Sequence, residues 1–426
     1  MNKNETLSFL NSLQRFGWQL GLDRISHLLD AMGNPQRAFR SVHIAGTNGK
    51  GSTCAMVESI CRHAGVRTGR FISPHLMDIR ERMCVGGTPI PQDILTRYIS
   101  DYASILAQLE CTYFEALTGI AFKYFADAAV DLAVVEVGLG GRFDATNLLT
   151  PELAIITSIA LDHVEHLGHD VSQIAAEKAG IIKQGSICLS QSCLPEVVEI
   201  LRQASSERTA ELIVLNDIAS IKQFSMLESY SLADMIVAGQ PWENLRIGLA
   251  GRTQLSNALL AAAATHLLRS RGLGLNDDAL YAGLAKVHWP GRLQKISESP
   301  TIVVDVAHNV QAIENLVADL TQLFQFQNAL IVIGLLADKN WQHIVDIIAA
   351  FADLVWVVSP DSERALPAST LCQEFVERGT AVETAPSVHE ALLAAKQAAG
   401  PRDLICVTGS HYLIGPLLQK RLPDHS

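Results

Sequence analysis

The stretch HIAGTNGKGST, residues 43–53, combines glycines, a lysine and hydroxyl side chains in a way that suits phosphate binding. A strict phosphate loop, Gly-x-x-x-x-Gly-Lys-Ser/Thr, curls successive backbone N–H groups around phosphate oxygens. This stretch departs from that pattern, because Ile44 stands at the first glycine position and Gly51 separates Lys50 from Ser52. It predicts a phosphate cradle, and the alternative is a glycine-rich turn between a strand and a helix.

The sequence on either side of the loop predicts the elements that would position it. RSVHIA, residues 40–45, is a short β-prone run, and residues 52–65 have the apolar spacing of a helix that stops at Gly65. One face of that helix is apolar and comprises Met56, Val57, Ile60 and Ala64. A glycine loop before a helix N-terminus favours an anion, because free N–H groups and the helix dipole both attract negative charge.

An acidic residue lies near the end of a second predicted strand, in LAVVEVGLGGRFDATN, residues 132–147. Burying the carboxylate of Glu136 alone is expensive, and Mg²⁺ on nucleotide phosphates is a suitable partner because it takes few protein ligands. Gly138, Gly140 and Gly141 follow. They suggest a dinucleotide fingerprint as the alternative, but the third glycine of Gly-x-Gly-x-x-Gly is missing and no helix is predicted after them.

Three histidines occur at three-residue intervals in IALDHVEHLGHD, residues 159–170. A zinc site is one interpretation and a polar loop with solvated histidines is the other. Zinc ligands commonly have wider or helical spacing and no cysteine lies nearby, so zinc is disfavoured. His163 is closest to the strand LAIITSI and is kept as a neighbour of a hard metal or a phosphate, whereas His166 and His169 are predicted to be loop residues.

A lysine lies on the apolar face of the helix predicted for VSQIAAEKAG, residues 171–180. The helix begins after a capping pair, Asp170 and Gln173. Its apolar face comprises Val171, Ile174, Ala175 and Lys178. From spacing alone, Lys178 is expected to extend its ammonium group to water. Burial is the alternative, and it would lower the pKa of the amine and make it chemically usable.

Four apolar strands predicted after residue 300 end in polar or small residues, which is typical of a binding edge. The four segments are TIVVDVAHN, ALIVIGLLADKN, DLVWVVSPD and DLICVTGSHY. Asp305 and His308 follow the first strand, Ser410 and His411 follow the last, and Arg292 lies upstream. Each alone is compatible with an ordinary loop, but together they place an acid, a cation and imidazole or hydroxyl groups at one edge.

The alternation of apolar strands with amphipathic helical segments predicts an α/β fold with parallel sheets. The chain has 426 residues, which is more than one hydrophobic core usually supports, so two domains are expected. HWPGRLQKISESP, residues 288–300, holds two prolines and a glycine and is predicted to be the junction. Residues 206–253 carry mixed strand and turn signals whose order is left open.

Composition argues against several classes of protein. A net charge of −11 without a basic stripe argues against a nucleic-acid partner. No apolar run reaches the roughly 18 residues of a membrane span, and the first residues lack the apolar region of a secretory signal. Eight cysteines without C-x-x-C pairs favour reduced, buried thiols. A cytoplasmic protein without membrane contact is therefore expected.

These motifs, in this order, resemble those of the folylpolyglutamate synthase and dihydrofolate synthase family, relatives of the Mur ligases. The matching motifs are GTNGKGS, SPHL with IRERM, VEVGLGGRFDATN, LDHVEHLGH, EKAGIIK, GR, DVAHN and TGS. The resemblance runs from about residue 20 to residue 412. It implies an ATP-binding, Mur-ligase-like central domain of P-loop type with a mostly parallel sheet at residues 1–290, and a smaller Rossmann-like glutamate-ligase domain at residues 291–426. In this family the short phosphate loop is the usual form, so Gly51 belongs to it.

The resemblance implies an amide ligase driven by ATP and Mg²⁺. A pteroate or folate carboxylate takes the γ-phosphoryl group to form an acyl phosphate, and the amine of glutamate then displaces phosphate. One protein is expected both to make dihydrofolate from dihydropteroate and to add glutamates to reduced folates. A Mur-type ligase acting on a UDP-sugar, and a nucleotide-binding switch without ligation, are the alternatives. The expected partners are these small molecules only, and the expected state is a monomer.

Residue roles follow from the matched motifs. Nucleotide contacts are implied for Gly46, Thr47, Asn48, Gly49, Lys50, Gly51, Ser52, Thr53, Asn257, Arg292 and Asp305. One Mg²⁺ is implied at Ser52, and a second at Ser73, Glu136 and His163. Lys178 is also implied as a metal ligand, in the form of a carbamate. Substrate contacts are implied at Pro74, His75, Asp144, His308 and Ser410, and catalytic roles at Lys50, Lys178 and His308.

Two positions carry a further expectation. Asp144 matches the aspartate of bifunctional bacterial members that also accept dihydropteroate, which implies that its carboxylate accepts hydrogen bonds from the pterin ring. The alternative for Asp144 is that it only caps the turn before ATN. Val306 stands where the family often has glycine, a departure expected to affect packing more than chemistry. The segment SPHLMDIRERM resembles a loop that orders over the pterin substrate.

Overall fold

The computed structural model describes residues 2–16 and 21–419, which divide into two compact units. Unit 1 is built from residues up to Gln223, with Asp234–Leu245 and Ser256–Val287; unit 2 is built from Phe224–Ala233, Arg246–Leu255 and the residues from His288 onward. The domain boundary between residues 290 and 291 stays a prediction, and the predicted outer limits, residues 1 and 426, lie outside the described residues.

Unit 1 contains an eight-stranded sheet in the order β4-β3-β2-β5-β1-β6-β7-β8. Its strands are β1 Arg40–Ala45, β2 Thr68–Phe71, β3 Met83–Val85, β4 Thr88–Pro89, β5 Leu132–Glu136, β6 Leu153–Ile156, β7 Ile187–Ser190 and β8 Glu211–Val214. The pairs from β2 through β5, β1, β6 and β7 to β8 are parallel, and β2–β3 and β3–β4 are antiparallel. The predicted mostly parallel sheet is confirmed.

Helices cover both faces of this sheet. They are α1 Lys3–Ser12, α2 Asp23–Ala31, α3 Lys50–His63, α4 Gln92–Gln108, α5 Tyr113–Asp127, α6 Val164–Leu167, α7 Val171–Lys178, α8 Pro195–Glu207 and α9 Leu215–Ile218. One core packs Leu28 and Phe122 against Val135 of β5, and another packs Ile174 and Leu201 with strand residues such as Ile156. Because both faces are covered, the strands are apolar without alternation.

Three helices bear directly on the sequence predictions. α3 ends before Gly65 as predicted, and Met56, Val57 and Ile60 of its predicted apolar face are buried. Burial is wider than that face, because every residue from Gly51 to Cys61 is buried. α7 begins after Asp170, whose side chain accepts the N–H of Gln173 as predicted. Short 3₁₀ turns occur at Leu13–Phe16, Pro35–Arg37, Ile79–Arg82, Ala145–Leu148 and Ala179–Ile181.

Residues 219–247, within the stretch 206–253 whose order the sequence left open, form a three-stranded sheet in the order β11-β10-β9. Its strands are β9 Ala219–Met226, β10 Ser231–Val237 and β11 Gln240–Ile247. Two helices follow, α10 Arg252–Ser270 and α11 Asp277–Ala285. α11 packs closely on α3: the Ser59 hydroxyl donates to the Gly283 carbonyl at 2.8 Å, and a Cβ on Gly283 would lie 2.5 Å from Ile60 Cα.

Unit 2 contains a six-stranded sheet in the order β12-β13-β17-β14-β15-β16, parallel except for β12 against β13. Its strands are β12 Gln294–Glu298, β13 Thr301–Val304, β14 Ala329–Ile333, β15 Leu354–Val357, β16 Val382–Thr384 and β17 Leu404–Thr408. Its helices are α12 Val310–Leu323, α13 Trp341–Phe351, α14 Ala368–Glu377, α15 Val388–Ala398 and α16 His411–Gln419. The four predicted strands and the predicted second α/β sheet are confirmed, whereas β12, inside the predicted junction, and β16 were not foreseen. None of the helices in the described ranges is long and apolar enough to cross a membrane.

Candidate active site

The loop between β1 and α3 requires glycine at two positions. Gly46 has a φ of 151° and Gly49 a φ of 90°. A Cβ on Gly46 would lie 1.7 Å from Thr157 Oγ1, and one on Gly49 would lie 2.6 Å from Asn257 Oδ1. The shape of the loop is therefore set by close packing against Thr157, which follows β6, and against Asn257 of α10.

The loop leads into a helix N-terminus suited to an anion. Gly49 caps α3 without a side-chain acceptor, so no cap side chain competes for the first N–H groups. The carbonyl of Asn48 instead accepts from the hydroxyls of Thr157 at 2.8 Å and Ser158 at 3.1 Å. Thr47 is held at its N–H by Ser158 O at 2.7 Å. The structure thus places the residues predicted to bind phosphate in one loop at the N-terminus of α3.

Lys50 is the first residue of α3 and folds back over the loop. Its Nζ donates to the carbonyls of Gly46 and Thr47, each at 3.1 Å. Ser52 and Thr53 lie in the next positions of α3 and are buried. The Thr53 hydroxyl has no hydrogen-bond partner within the described part of the chain.

Glu136 and Ser73 meet at the carboxyl end of the sheet. Glu136 ends β5 and pairs in register with Ile44, two residues before Gly46. Its carboxylate is only 5% exposed, and Oε2 accepts the backbone N–H of Ser73 at 3.2 Å. A buried carboxylate beside a hydroxyl residue offers the oxygen ligands that Mg²⁺ prefers.

His163 follows β6 with a φ of 50°. Its backbone N–H donates to Asp162 Oδ1 at 2.9 Å, and its Nε2 lies 3.8 Å from Asp162 Oδ2. Among the residues the structure describes, no group of three or more His, Cys, Asp or Glu side chains converges as a metal site. Asp162 was not among the predicted site residues, although it lies three residues after the end of the predicted strand LAIITSI.

Lys178 is built into the loop and does not reach water. It is 3% exposed, and its Nζ donates to Gly46 O at 2.9 Å. The expected extension to solvent was wrong, because the apolar face of α7 packs into the core and carries the lysine with it. Burial, and next the charge of Lys50, lower the pKa of Lys178 to about 7, while Asp162 opposes the shift.

Pro74 and His75 lie in a segment, residues 73–83, whose conformation is stabilised by hydrogen bonds from side chains of the same segment. His75 Nδ1 accepts Arg82 Nε–H at 2.8 Å, and burial together with the Arg82 charge lowers the pKa of His75 to about 4. The carboxylate of Glu81 accepts three consecutive backbone N–H groups, from Leu76 at 2.8 Å, Met77 at 3.0 Å and Asp78 at 2.7 Å. Glu81 and Arg82 belong to the motif IRERM but were not among the predicted site residues.

Asp144 caps the 3₁₀ turn Ala145–Leu148, as one of the two interpretations of this residue predicted. Its Oδ1 accepts the Thr146 N–H at 3.0 Å and its Oδ2 the Leu139 N–H at 2.9 Å. Burial raises the pKa of Asp144, and these hydrogen bonds oppose the rise. A contact between Asp144 and a substrate stays a prediction.

In unit 2, Asp305 is fixed by backbone donors at the end of β13. Its Oδ2 accepts the Leu293 N–H and its Oδ1 the Ala307 N–H, both at 2.7 Å. Burial raises the pKa of Asp305, and the neighbouring Arg292 charge opposes that rise. Arg292 and Asp305, two of the predicted nucleotide contacts, therefore lie close together.

The ends of the adjacent parallel strands β13 and β17 bring His308 and His411 together, with ring centroids 5.6 Å apart. His308 Nδ1 lies 2.8 Å from Val306 O, which accepts and so places a proton on Nδ1. Ser410 is buried and its Oγ accepts the Tyr412 N–H at 3.1 Å. Val306 is only 2% exposed, in keeping with an effect on packing.

One further basic residue at this edge was missed. Lys339 follows β14, the other neighbour of β17, and is 8% exposed. The polar end of ALIVIGLLADKN was the available signal, but it did not single out this lysine.

Comparison with known proteins agrees with this arrangement. Residues 44–265 match the Mur ligase middle domain and residues 291–411 the Mur ligase glutamate ligase domain. The dihydrofolate synthase/folylpolyglutamate synthase of Bacillus subtilis (strain 168) is 33% identical, over 97% of this chain and 98% of that protein.

Two solved structures are similar over nearly the whole chain. One is a Mycobacterium tuberculosis folylpolyglutamate synthase complexed with ADP, with a TM-score of 0.92 and 33% identity over 99% of this chain and 100% of that one. The other is an E. coli FolC in complex with DHPP and ADP, with a TM-score of 0.88 and 32% identity over 98% of this chain and 97% of that one. With a glycine cradle, a buried acid and a buried lysine at one sheet edge, and with these matches along its length, the chain belongs to the dihydrofolate synthase/folylpolyglutamate synthase family of Mur ligases.

Proposed function

We propose that this protein is an ATP-dependent ligase that joins glutamate to dihydropteroate and adds further glutamates to reduced folates. The observation that carries the proposal is the convergence of Lys50 and Lys178 on the Gly46 carbonyl, at 3.1 and 2.9 Å. Two basic groups at a helix N-terminus suit a transferring phosphoryl group, whose charge must be neutralised. The names of the relatives support the substrate class.

ATP is proposed to bind with its phosphates in the loop Gly46–Thr53. The N–H groups at the start of α3 attract the negative charge of the phosphates. Lys50 would donate to phosphate oxygens in place of the carbonyls of Gly46 and Thr47. Asn257, which fixes the shape of the loop at Gly49, is proposed as a nucleotide contact, as are Arg292 and Asp305 of unit 2.

Mg²⁺ is proposed as the metal, and the residues present fit it. Glu136 and the hydroxyls of Ser52 and Ser73 are hard oxygen donors, His163 follows the adjacent strand end, and Mg²⁺ keeps several waters, so few protein ligands suffice. When bound, Mg²⁺ neutralises charge on the phosphates. The protein would contribute the buried carboxylate of Glu136, whose negative charge the metal would compensate.

Lys178 is proposed to act as a carbamate. With a pKa of about 7, much of its amine is neutral near neutral pH. The neutral nitrogen bonds to the carbon of CO₂ and loses a proton to solvent, which leaves an anion with two oxygens. Such an anion can serve as a metal ligand, whereas the ammonium form cannot.

The remaining steps follow from ordinary acyl chemistry. The pterin carboxylate attacks the γ-phosphorus and ADP leaves; the glutamate amine then attacks the acyl carbon and phosphate leaves. Pro74, His75 and Asp144 are proposed to serve the pterin substrate, and His308 and Ser410 the incoming glutamate. A monomer in the cytoplasm is the expected state.

The test is product formation by the purified protein. With ATP, Mg²⁺ and glutamate, mass spectrometry should detect dihydrofolate from dihydropteroate and longer products from tetrahydrofolate. ATP turnover that needs neither pterin nor glutamate would support a nucleotide switch instead, and ligation only to a UDP-sugar would support a Mur-type ligase.

A further inference from the structure

A buried hydrogen-bonded chain leads from β1 to the loop that follows β5. His43 Nε2 lies 2.8 Å from Thr146 Oγ1, and the Thr146 hydroxyl donates to Asp144 Oδ1. His43 and Thr146 are completely buried and Asp144 is 5% exposed. The proposed function assigns no role to His43 or Thr146.

The Thr146 hydroxyl has one proton, and this determines which group donates in its hydrogen bonds with His43 and with Asp144. The Thr146 proton goes to the carboxylate, so Oγ1 accepts from His43 and Nε2 carries the imidazole proton. Burial, and next the Lys183 charge, lower the pKa of His43 to about 3, so the ring is neutral. Nδ1 is left as a buried acceptor without a partner in the described residues.

Hydrogen bonds from the protein hold the carboxylate of Asp144 in place. Thr146 supplies its N–H and its hydroxyl to Oδ1, and Leu139 supplies its N–H to Oδ2. A carboxylate has about four acceptor sites, and these bonds within the protein use three of them.

The loop that Asp144 holds, residues 138–144, lies against the proposed catalytic lysine. Gly141 packs so closely that a Cβ on it would lie 3.0 Å from Lys178 Cα and 2.7 Å from Glu177 O. Arg142 N–H donates to Glu177 O at 2.9 Å. The same loop begins two residues after Glu136, so a shift of the loop moves the surroundings of both groups.

We infer that His43 and Thr146 are positioning residues: through Asp144 they hold the 138–144 loop in register with β1, and they serve ligation to both pterin substrates alike. The inference rests on the proposed function. It differs from a role of Asp144 in binding dihydropteroate, because displacement of Lys178 and Glu136 affects the phosphoryl step that both reactions share.

Matched variants isolate the hydroxyl and the imidazole. Thr146→Val keeps the shape and removes the hydroxyl, and Thr146→Ser keeps the hydroxyl. We expect Thr146→Val to lower kcat on the order of 10-fold with dihydropteroate and with tetrahydrofolate, while the KM for either changes less than about twofold. Thr146→Ser should restore the rate. A loss confined to dihydropteroate, or full activity in Thr146→Val, would overturn the inference.

A double-mutant cycle tests whether the chain acts as a unit. His43→Leu should resemble Thr146→Val, and His43→Gln, which retains a donor near Nε2, should be closer to wild type. The double variant His43→Leu/Thr146→Val should be no slower than the slower single variant, because either substitution already breaks the chain. Multiplication of the two single effects would contradict the inference. Thermal unfolding identifies variants that have lost the fold. If His43→Leu or Thr146→Val is one of them, the conservative variants His43→Gln and Thr146→Ser are compared with wild type instead.

A spectroscopic measurement separates this inference from the proposed function. ¹⁵N-histidine NMR of the wild-type protein should show a neutral ring protonated at Nε2 whose signal disappears in His43→Gln and moves in Thr146→Val. A His43 ring protonated at Nδ1 would overturn the chain. Absence of product with every pterin would defeat the proposed function, and the NMR result would still decide whether the chain exists.

Discussion

The ammonium nitrogen of Lys178 lies 2.9 Å from the carbonyl oxygen of Gly46, which also accepts from Lys50 at 3.1 Å. α7 and the loop after β1 are therefore joined through one peptide group. Burial, and next the repulsion from the Lys50 ammonium group, lower the pKa of Lys178 to about 7. A residue that helical spacing alone would leave in solvent thus becomes part of the proposed phosphoryl-transfer site.

Lys50→Ala should lower turnover on the order of 10²-fold or more, because it removes charge stabilisation from the transferring phosphoryl group. The measurement is steady-state ligation with saturating ATP. Lys222→Ala, at an exposed position of β9, is the matched control and should leave turnover unchanged. Near-normal turnover in Lys50→Ala would defeat the phosphate-loop assignment.

Gly46→Ala should abolish nucleotide binding, since its Cβ would lie 1.7 Å from Thr157 Oγ1 and the loop would have to move. Isothermal titration with ADP measures the effect, and circular dichroism checks that the variant is folded. Gly274→Ala, where a Cβ meets nothing within 4 Å, is the control and should bind ADP normally. Tight ADP binding by folded Gly46→Ala would show that the loop does not need its present shape.

Much of the fold could be predicted because the parallel strands are continuous apolar runs covered on both faces. The arrangement of the candidate site was harder to predict from the sequence. Lys178 meets a carbonyl far away in the sequence, and spacing along a helix identifies a face but not what covers it. Asp162 and Lys339 looked like ordinary loop residues, and Thr146 looked like part of a turn. The sheet β9–β11 was missed because its strands carry mixed signals.

Lys178→Ala should leave the fold intact and reduce ligation by about 10-fold to 100-fold or more, since loss of residues that only support metal ligands already has an effect of that size. With ¹³C-labelled bicarbonate, the wild-type protein should show a carbamate resonance that the variant lacks. A fully active wild-type enzyme whose lysine carries no carbamate would contradict this role.

The stability of the protein should fall as the pH is lowered from about 6.5 towards 4, in part because of His75. Its pKa is about 4 in the folded protein against an ordinary 6.5, so the unfolded chain binds more protons in this range. Stability therefore rises with pH through the window and is fully present above it. Urea unfolding at several pH values should give a shallower dependence for His75→Gln than for wild type.

The matched control is His27→Gln, at an exposed position of α2. It should reproduce the wild-type dependence. If His75→Gln and His27→Gln have the same pH dependence as wild type, the imidazole of His75 is not buried in its neutral form.

The central claim is that the pterin carboxylate is activated by phosphorylation before glutamate attacks. Dihydropteroate labelled with ¹⁸O in its carboxylate, incubated with the protein, ATP, Mg²⁺ and glutamate, tests it directly. Mass spectrometry of the released phosphate should find one ¹⁸O atom per dihydrofolate formed, because the acyl phosphate leaves with an oxygen from the carboxylate. Released phosphate without ¹⁸O, alongside normal dihydrofolate formation, would contradict the account.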